Sequence, residues 1–420
     1  MSLFGNLIVY LSFFISLYIQ VFILITFLEY RLAARRGLPS RAANASPATN
    51  PKNLPAVTVI VPCWNEERTL DRTMRSLLGL SYPKDKLNII VVDDGSTDGT
   101  SAVAHRFEKY KQVRLFKKEN GGKHSALNFG LARTETPLVG CLDADSFVLP
   151  DTLKKIVARF SEKDVMAVTP AVKVYRPKNI LELIQKAEYN MGIFNRKMFG
   201  MMNAIHVAPG PFTIFRKKVF DTLGGYRSAH NTEDLEIAMR MQNNHYRIEN
   251  AEDAFVLTVA PRKLRALVKQ RTRWITGFLK NAIDYRHMFF KKKYGNVALF
   301  TIPAGVLSIV SASILAIKFL YEFCKLLANK FIEWSAIHFH FLKSVHFDWF
   351  FWNTETVAFL GILLFFAGLI VILIGKKMAE QKQGISREIV YFSLFYAFIA
   401  PLWILKSVYN TGLARKTKWR

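Results

Sequence analysis

The chain is poor in cysteine. Its 420 residues contain three, Cys63, Cys141 and Cys324. That is too few, and too scattered, for a disulfide framework or a thiolate zinc site, and a reducing compartment is expected for the main domain. The chain is also short of acid: 58 Lys and Arg face 32 Asp and Glu, for a formal charge of +26. Such an excess either attracts polyanions or reflects Lys and Arg gathered on the cytoplasmic side of a membrane. No nucleic-acid-binding module is recognisable. The cations instead flank long apolar runs, with Arg31, Arg35 and Arg36 after the first and Lys291 to Lys293 before the second, which favours the membrane and excludes nucleic acid as the expected partner. Internal repeats and low-complexity tracts are absent. The first apolar run has no basic region ahead of it and no small-residue cleavage site, so it is expected to be an uncleaved span rather than a signal peptide.

What the sequence has in plenty is apolar length, at 51% hydrophobic residues. Leu7 to Phe27 is long enough to cross a bilayer, and the Arg cluster behind it places the next domain on the cytoplasmic side of a plasma membrane. Three further spans are expected near Leu299–Leu320, Thr356–Ile374 and Ile389–Lys406. Four spans leave the basic residues Arg415 to Arg420 outside, and five would leave Lys376, Lys377 and Lys382 outside; hydropathy favours four. The stretch Phe331–Trp352 is aromatic and carries His338, His340 and His346. It reads as an external interfacial or re-entrant piece, with an aromatic belt preferred to a metal site. The resulting plan is an N-terminal span (1–30), a basic linker (31–55), a catalytic domain (56–260), interfacial helices (261–298) and a C-terminal membrane region (299–420).

From Val57 short β-rich runs alternate with helical stretches. Strands are expected at Val57–Val61, Leu87–Val92, Val113–Phe116, Leu138–Leu142 and Val165–Thr169, with helices near Glu67–Leu78, Thr97–Tyr110, Lys123–Ala132 and Pro150–Phe160. This spacing predicts a parallel, doubly wound sheet, whose ligands bind beyond the carboxyl ends of the strands. Asn65-Glu66, Asp93-Asp94 and Asp143-Ala144-Asp145 all lie at such ends. On an extended strand Asp143 and Asp145 share a face, and paired carboxylates suit Mg²⁺ or Mn²⁺ holding phosphate oxygens. Ile180–Gly200 and Leu264–Phe290 are amphipathic and basic, and are expected to lie in the membrane interface.

Six motifs occur in order: Val-Pro-Cys-Trp-Asn-Glu-Glu (61–67), Val-Val-Asp-Asp-Gly-Ser-Thr-Asp (91–98), Gly-Gly-Lys (121–123), Asp-Ala-Asp (143–145), Thr-Glu-Asp (232–234) and Gln-Arg-Thr-Arg-Trp (270–274). From 57 to 274 the chain resembles the membrane-embedded family 2 glycosyltransferases, the bacterial synthases of cellulose, hyaluronan, chitin-type oligomers and poly-N-acetylglucosamine. The resemblance implies an α/β GT-A (Rossmann-like) cytoplasmic domain with interfacial amphipathic helices and an α-helical transmembrane region. It implies a UDP-sugar donor, a growing glycan or lipid acceptor, surrounding membrane lipid and room for a small accessory membrane subunit. It places Pro62, Trp64 and Glu66 on the uracil, and one of Asp93 and Asp94 on the base or ribose. It sets Lys123 near the base or diphosphate, Asp145 on the metal, and Asp143 between metal and nucleotide.

The same resemblance makes Asp234 the base that takes the acceptor proton in an inverting displacement. A helix start there is expected to keep the carboxylate ionised, with Thr232 as a possible cap. Gln270, Arg273 and Trp274 share a helical face, where Arg273 can pair with the diphosphate and Trp274 can stack under a sugar. Pro209-Gly210-Pro211-Phe212 falls where related enzymes have a small-residue, acceptor-contacting segment, from which its two prolines depart. Single-sugar transfer to a lipid, and an inactive scaffold subunit of an export machine, remain as alternatives to a polymer synthase.

Overall fold

The computed structural model describes residues 3–36, 54–336 and 356–413. The stretch 37–53, the histidine-bearing segment 337–355 and the basic C-terminus lie outside the described residues. Helix α1 (Leu3–Arg35) precedes a domain whose elements run β1 (Val57–Cys63), α2 (Leu70–Leu78), β2 (Leu87–Asp93), α3 (Thr100–His105), β3 (Val113–Lys117), α4 (Lys123–Leu131), β4 (Leu138–Cys141), β5 (Ser146–Val148), α5 (Thr152–Ala158), β6 (Val165–Val174), α6 (Ile180–Met201), β7 (Ile214–Arg216), α7 (Lys218–Leu223), α8 (Glu233–Asn243), β8 (Arg247–Thr258) and α9 (Leu264–Asp284). Helices α10 (Ile302–Ala336), α11 (Thr356–Glu380) and α12 (Arg387–Gly412) follow.

The strands form one sheet in the order β3-β2-β1-β4-β7-β6-β8-β5. The first four are parallel, as the alternating pattern predicts. The expectation of an all-parallel sheet does not hold beyond them. β7 runs antiparallel to both β4 and β6, and β5 runs antiparallel to β8. The sheet is therefore mixed, because β6 and β7 are joined through α6 and the return segment 202–213 rather than by a crossover that restores direction. β1 has β2 on one side and β4 on the other, so the strand order reverses at β1, and a crevice opens beyond the carboxyl ends there.

Apolar side chains cover both faces of the sheet. Val57, Val59 and Val61 of β1 join Leu70, Met74 and Leu77 of α2 on one side. Ile60 joins Ala126 and Leu127 of α4 and Ile237 of α8 on the other. This alternation within β1 is the period-2 signature of a strand buried on both faces.

Among the described residues four helices are long and apolar enough to cross a membrane: Leu7–Ala33, Val297–Ile332, Thr356–Glu380 and Arg387–Gly412. Helices α6 and α9 lie between the sheet and these four. Phe194 and Met198 of α6 pack with Ile23 and Val371, Ala187 packs with Ile372 and Ile389, and Leu267 of α9 packs with Ala400 and Trp403. A polar seam reinforces the contact, with Lys186 of α6 bridging Glu380 at 2.9 Å and Glu388 at 3.3 Å.

Candidate active site

Three loops meet beyond β1, β2 and β4. After β1 the chain turns through Trp64, Asn65 and Glu66. Asn65 has a left-handed backbone (φ 57), and its side-chain oxygen accepts from Thr97 N at 2.9 Å while its backbone N–H donates to Ser96 Oγ at 3.0 Å. It therefore ties the β1 loop to the β2 loop and does not cap α2, which begins at Leu70. Pro62, Trp64 and Glu66 are all half-buried. The Glu66 carboxylate accepts from Thr69 Oγ1 at 2.7 Å.

Asp93 is fully buried. One of its oxygens accepts from Ser96 N at 2.9 Å, and Oδ2 has no hydrogen-bond partner. Such an orphan acceptor is the kind a ligand N–H or a water satisfies. Asp94 is occupied differently. Its carboxylate receives the Lys118 ammonium at 2.7 Å and the amides of Gly121 at 3.1 Å and Gly122 at 2.8 Å, so it shapes the turn that enters α4. Lys118 carries no signal in the sequence that would have marked it.

β4 ends at Cys141, and Asp143 and Asp145 stand in a turn closed by Ser146 N donating to Asp143 O at 2.9 Å. The face-sharing expected of a strand does not apply, because both residues lie past the end of β4. Both are half-buried. Asp145 Oδ1 accepts from Ser146 Oγ at 3.2 Å. Asp143 Oδ1 meets Lys123 Nζ at 2.7 Å, and the same ammonium reaches Glu233 Oε1 at 3.1 Å. Lys123 is thus paired on the protein rather than solvated. It bridges the Asp143 loop to the Thr-Glu-Asp segment. Burial works against its charge, but Asp143 and Glu233 outweigh burial and hold its pKa above the usual lysine range.

Among the described residues no three His, Cys, Asp or Glu gather into a metal cluster. The donors at Asp143 and Asp145 are all oxygen, which fits a hard cation that keeps waters and takes the rest of its shell from substrate phosphates. Cys141 lies beneath this turn, and burial pushes its thiol up to about 12. Burial thus keeps Cys141 in its thiol form.

Glu233 and Asp234 open α8, yet their acidities diverge. Burial raises Glu233, but Lys123, its own amide and Arg273 prevail and hold it below the usual range. Asp234 is pushed up to about 6 by burial first and by the Glu233 charge second, with Lys123 and Arg273 opposing. The helix start does not hold Asp234 at an ordinary carboxylate acidity, because desolvation and a like charge outweigh the helix end, but a pKa of about 6 still leaves the carboxylate mostly ionised at neutral pH. The Thr232 hydroxyl does not cap α8 either; it donates to Ala229 O at 2.9 Å and accepts from Asn281 Nδ2 at 3.0 Å. Two adjacent carboxylates with separated acidities resemble the division of acid and base labour in many active sites.

Gly210 seals this cluster from the side. A Cβ at Gly210 would stand 2.6 Å from Lys123 Nζ and 3.0 Å from Asp143 Oδ2, so a side chain here would push against the ion pair. The segment Pro209–Phe212 thereby touches the donor-side cluster, and Phe212 N donates to Cys141 O at 2.7 Å.

On α9, Arg273 Nη1 donates to Asn231 O at 2.8 Å, just ahead of the Thr-Glu-Asp segment. Trp274 is about one-third exposed. The residue that holds it is Arg271, whose guanidinium lies 4.2 Å over the indole and grips Glu188 of α6 through two bonds of 3.0 and 2.7 Å. Gln270 accepts from the same Arg271. Arg271 sits inside a motif read for its other members, and its partner is remote in sequence, so no local signal singled it out.

Residues 58–224 match the model for glycosyl transferase family 2. Over 238 residues the chain is 30% identical to the poly-beta-1,6-N-acetyl-D-glucosamine synthase of Staphylococcus aureus (strain COL), covering 56% of this chain and 57% of that one. The chain thus spans little more than half the length of that relative. The enzyme of the same name from Staphylococcus epidermidis is 27% identical over 319 residues, covering 75% of this chain and 74% of the relative. In fold, the chain is similar to a mannosyltransferase from Pyrobaculum calidifontis solved with GDP-Man and Mn²⁺, with a TM-score of 0.55, 21% identity, and coverage of 89% and 100%. The mixed sheet, the strand-end carboxylates and the sequence match agree: residues 58–224 form a domain that matches glycosyl transferase family 2 on a GT-A-like fold, joined, among the described residues, to four helices long and apolar enough to cross a membrane.

Proposed function

We propose that the protein is an inverting glycosyltransferase that uses a UDP-sugar, with N-acetylglucosamine the first candidate, to extend a β-linked polysaccharide, and that its apolar helices couple synthesis to export across the plasma membrane. The sheet domain is assigned to the cytoplasmic side, where nucleotide sugars are made. The observation that carries the reading is Asp234, half-buried beside a lysine-bridged carboxylate cluster, with its pKa pushed up to about 6. A base is most effective when its pKa lies near the operating pH.

In the proposed reaction an acceptor hydroxyl oxygen bonds to the anomeric carbon as the bond from that carbon to the UDP oxygen breaks. Asp234 takes the hydroxyl proton, and UDP leaves with the bonding electrons. Asp143 and Asp145 would hold Mg²⁺ or Mn²⁺, which when bound neutralises charge on the leaving diphosphate. Lys123 pairs with both Asp143 and Glu233 and helps to hold Glu233 below the usual range. Trp64, Pro62 and Glu66, with Asp93 behind them, are assigned to the base and ribose, and Trp274 to the acceptor sugar. Support for the polymer and for N-acetylglucosamine comes from the names of the staphylococcal relatives. Support for the cation class comes from the donor oxygens and from the Mn²⁺ of the mannosyltransferase.

The test uses the full-length protein in lipid nanodiscs with labelled UDP-N-acetylglucosamine and other UDP-sugars, with Mg²⁺, Mn²⁺ or EDTA, followed by sizing of the product. A polymer that is lost with EDTA and with Asp234→Asn supports the proposal. A single-sugar lipid product would overturn the polymer assignment, and UDP release that is unchanged in Asp234→Asn would overturn the base.

A further inference from the structure

One face of α9 is turned toward the loop that precedes Asp234. Arg273, Gly277, Asn281 and Asp284 recur at helical spacing along that face, and each meets a residue of 230–232. Arg273 Nη1 donates to Asn231 O at 2.8 Å, Asn281 Nδ2 donates to Thr232 Oγ1 at 3.0 Å, and Asp284 pairs with His230 Nε2 at 3.0 Å. Gly277 faces Thr232 so closely that an added Cβ would stand 2.3 Å from its Cγ2 and 2.5 Å from its Oγ1. A fifth contact continues the line, with Tyr285 donating to Glu236 Oε1 at 2.8 Å.

The gripped loop is strained. Ala229, His230 and Asn231 lie consecutively in the left-handed region, at φ 37, 58 and 65, and none is glycine. Non-glycine residues hold such a conformation only where the surroundings over-determine it, and such strain gathers at functional sites. The next residues are Thr232, Glu233 and Asp234, so the loop sets where α8 starts and where the Asp234 carboxylate points.

We propose that Gly277 and Asn281 are positioning residues for the catalytic base. The α9 face is a template that keeps loop 229–231 in its strained form and so fixes Asp234 against the acceptor. The proposal rests on Asp234 being the base. Simple helix packing would also require Gly277 to be small, but it would not tie that residue to the proton-transfer step.

The experiment measures UDP release by the full-length protein in nanodiscs from pH 5 to 8, for Gly277→Ala, Asn281→Ala, Thr232→Ala and the Gly277→Ala/Thr232→Ala double variant. Displacing a reacting group by about 1 Å costs about a hundredfold. Gly277→Ala is therefore expected to lower kcat by about tenfold to a hundredfold while the donor KM changes by less than about twofold, the pattern of a lost transition-state contact. Its acid limb should also move away from about 6, because the Asp234 environment changes. Removing the Thr232 side-chain methyl and hydroxyl should return the double variant to the activity of Thr232→Ala alone. Wild-type kcat in Gly277→Ala, or a lowered kcat with an unmoved acid limb and no rescue in the double variant, would overturn the proposal. If Gly277→Ala fails to fold, Asn281→Ala decides the matter by the same kcat and pH readouts. Asp234→Asn in the otherwise native chain separates the two ideas: if it remains active the base assignment fails on its own, whereas an inactive Asp234→Asn beside a native-like Gly277→Ala sinks only the positioning role.

Discussion

Lys123→Met is the most informative single change, because one ammonium holds two carboxylates and acts on a third. In the native protein it lies 2.7 Å from Asp143 and 3.1 Å from Glu233 and helps to hold Asp234 down to about 6. A nearby opposite charge holds a carboxylate down by about one pKa unit or more, so removal of the lysine should raise the Asp234 pKa by about one unit. The base works only when ionised, and activity disappears as pH falls through its pKa. The acid limb of kcat/KM should therefore move up by about one unit, with activity at pH 6.5 falling about threefold from ionisation alone and the ionisation deficit closing by pH 8.

Stability provides a second readout with a definite sign. Glu233 is depressed in the folded protein, so its contribution is present above its unfolded pKa and is lost as pH falls through the folded value. Without Lys123 the Glu233 carboxylate loses its cation, and burial then raises its folded pKa above the unfolded one. The stability deficit of the variant should then grow as pH rises from 5 to 8, reaching about 3 kcal/mol for a broken buried pair. The assays are UDP release against pH and thermal unfolding at the same pH values. A folded Lys123→Met protein whose acid limb stays at about 6 would refute the electrostatic link between Lys123 and Asp234.

Two further changes test neighbouring contacts. Gly210→Ala inserts a methyl group 2.6 Å from Lys123 Nζ and 3.0 Å from Asp143 Oδ2; kcat/KM is expected to fall by about tenfold or more, with a higher Mg²⁺ or Mn²⁺ requirement in a metal titration of UDP release. Arg271→Met leaves Glu188 without its bidentate partner and Trp274 without its stacking cation. It should cost about 3 kcal/mol in unfolding experiments and raise the acceptor KM while UDP-sugar affinity, read by calorimetry, stays within about twofold.

Much of the framework is legible in local pattern. β1 to β4, and helices α2, α4 and α5 apart from their ends, fall where β-rich and amphipathic runs place them, because period and turn chemistry are carried by neighbouring residues. The four apolar helices are legible for the same reason. β5 has three residues, and β8 carries Glu249, Glu252 and Asp253 among its apolar positions, so neither stands out as a run. The antiparallel course of β7 is a matter of how the chain returns after α6, which no local pattern encodes.

The motif residues and their order came from the sequence alone: oxygen donors at 143 and 145, acids at 233 and 234, and the Gln-x-x-Arg-Trp helix. What each side chain does there is set by partners far along the chain. Tertiary structure gave Lys123 to Asp143 and Glu233, Asp94 to the Gly121-Gly122 turn, and Arg271 to Glu188 and Trp274. It also raised Asp234 where a helix start by itself would have lowered it. Burial and charge pairing are sums over space, and only the folded chain brings those groups close enough for the sums to differ from residue to residue.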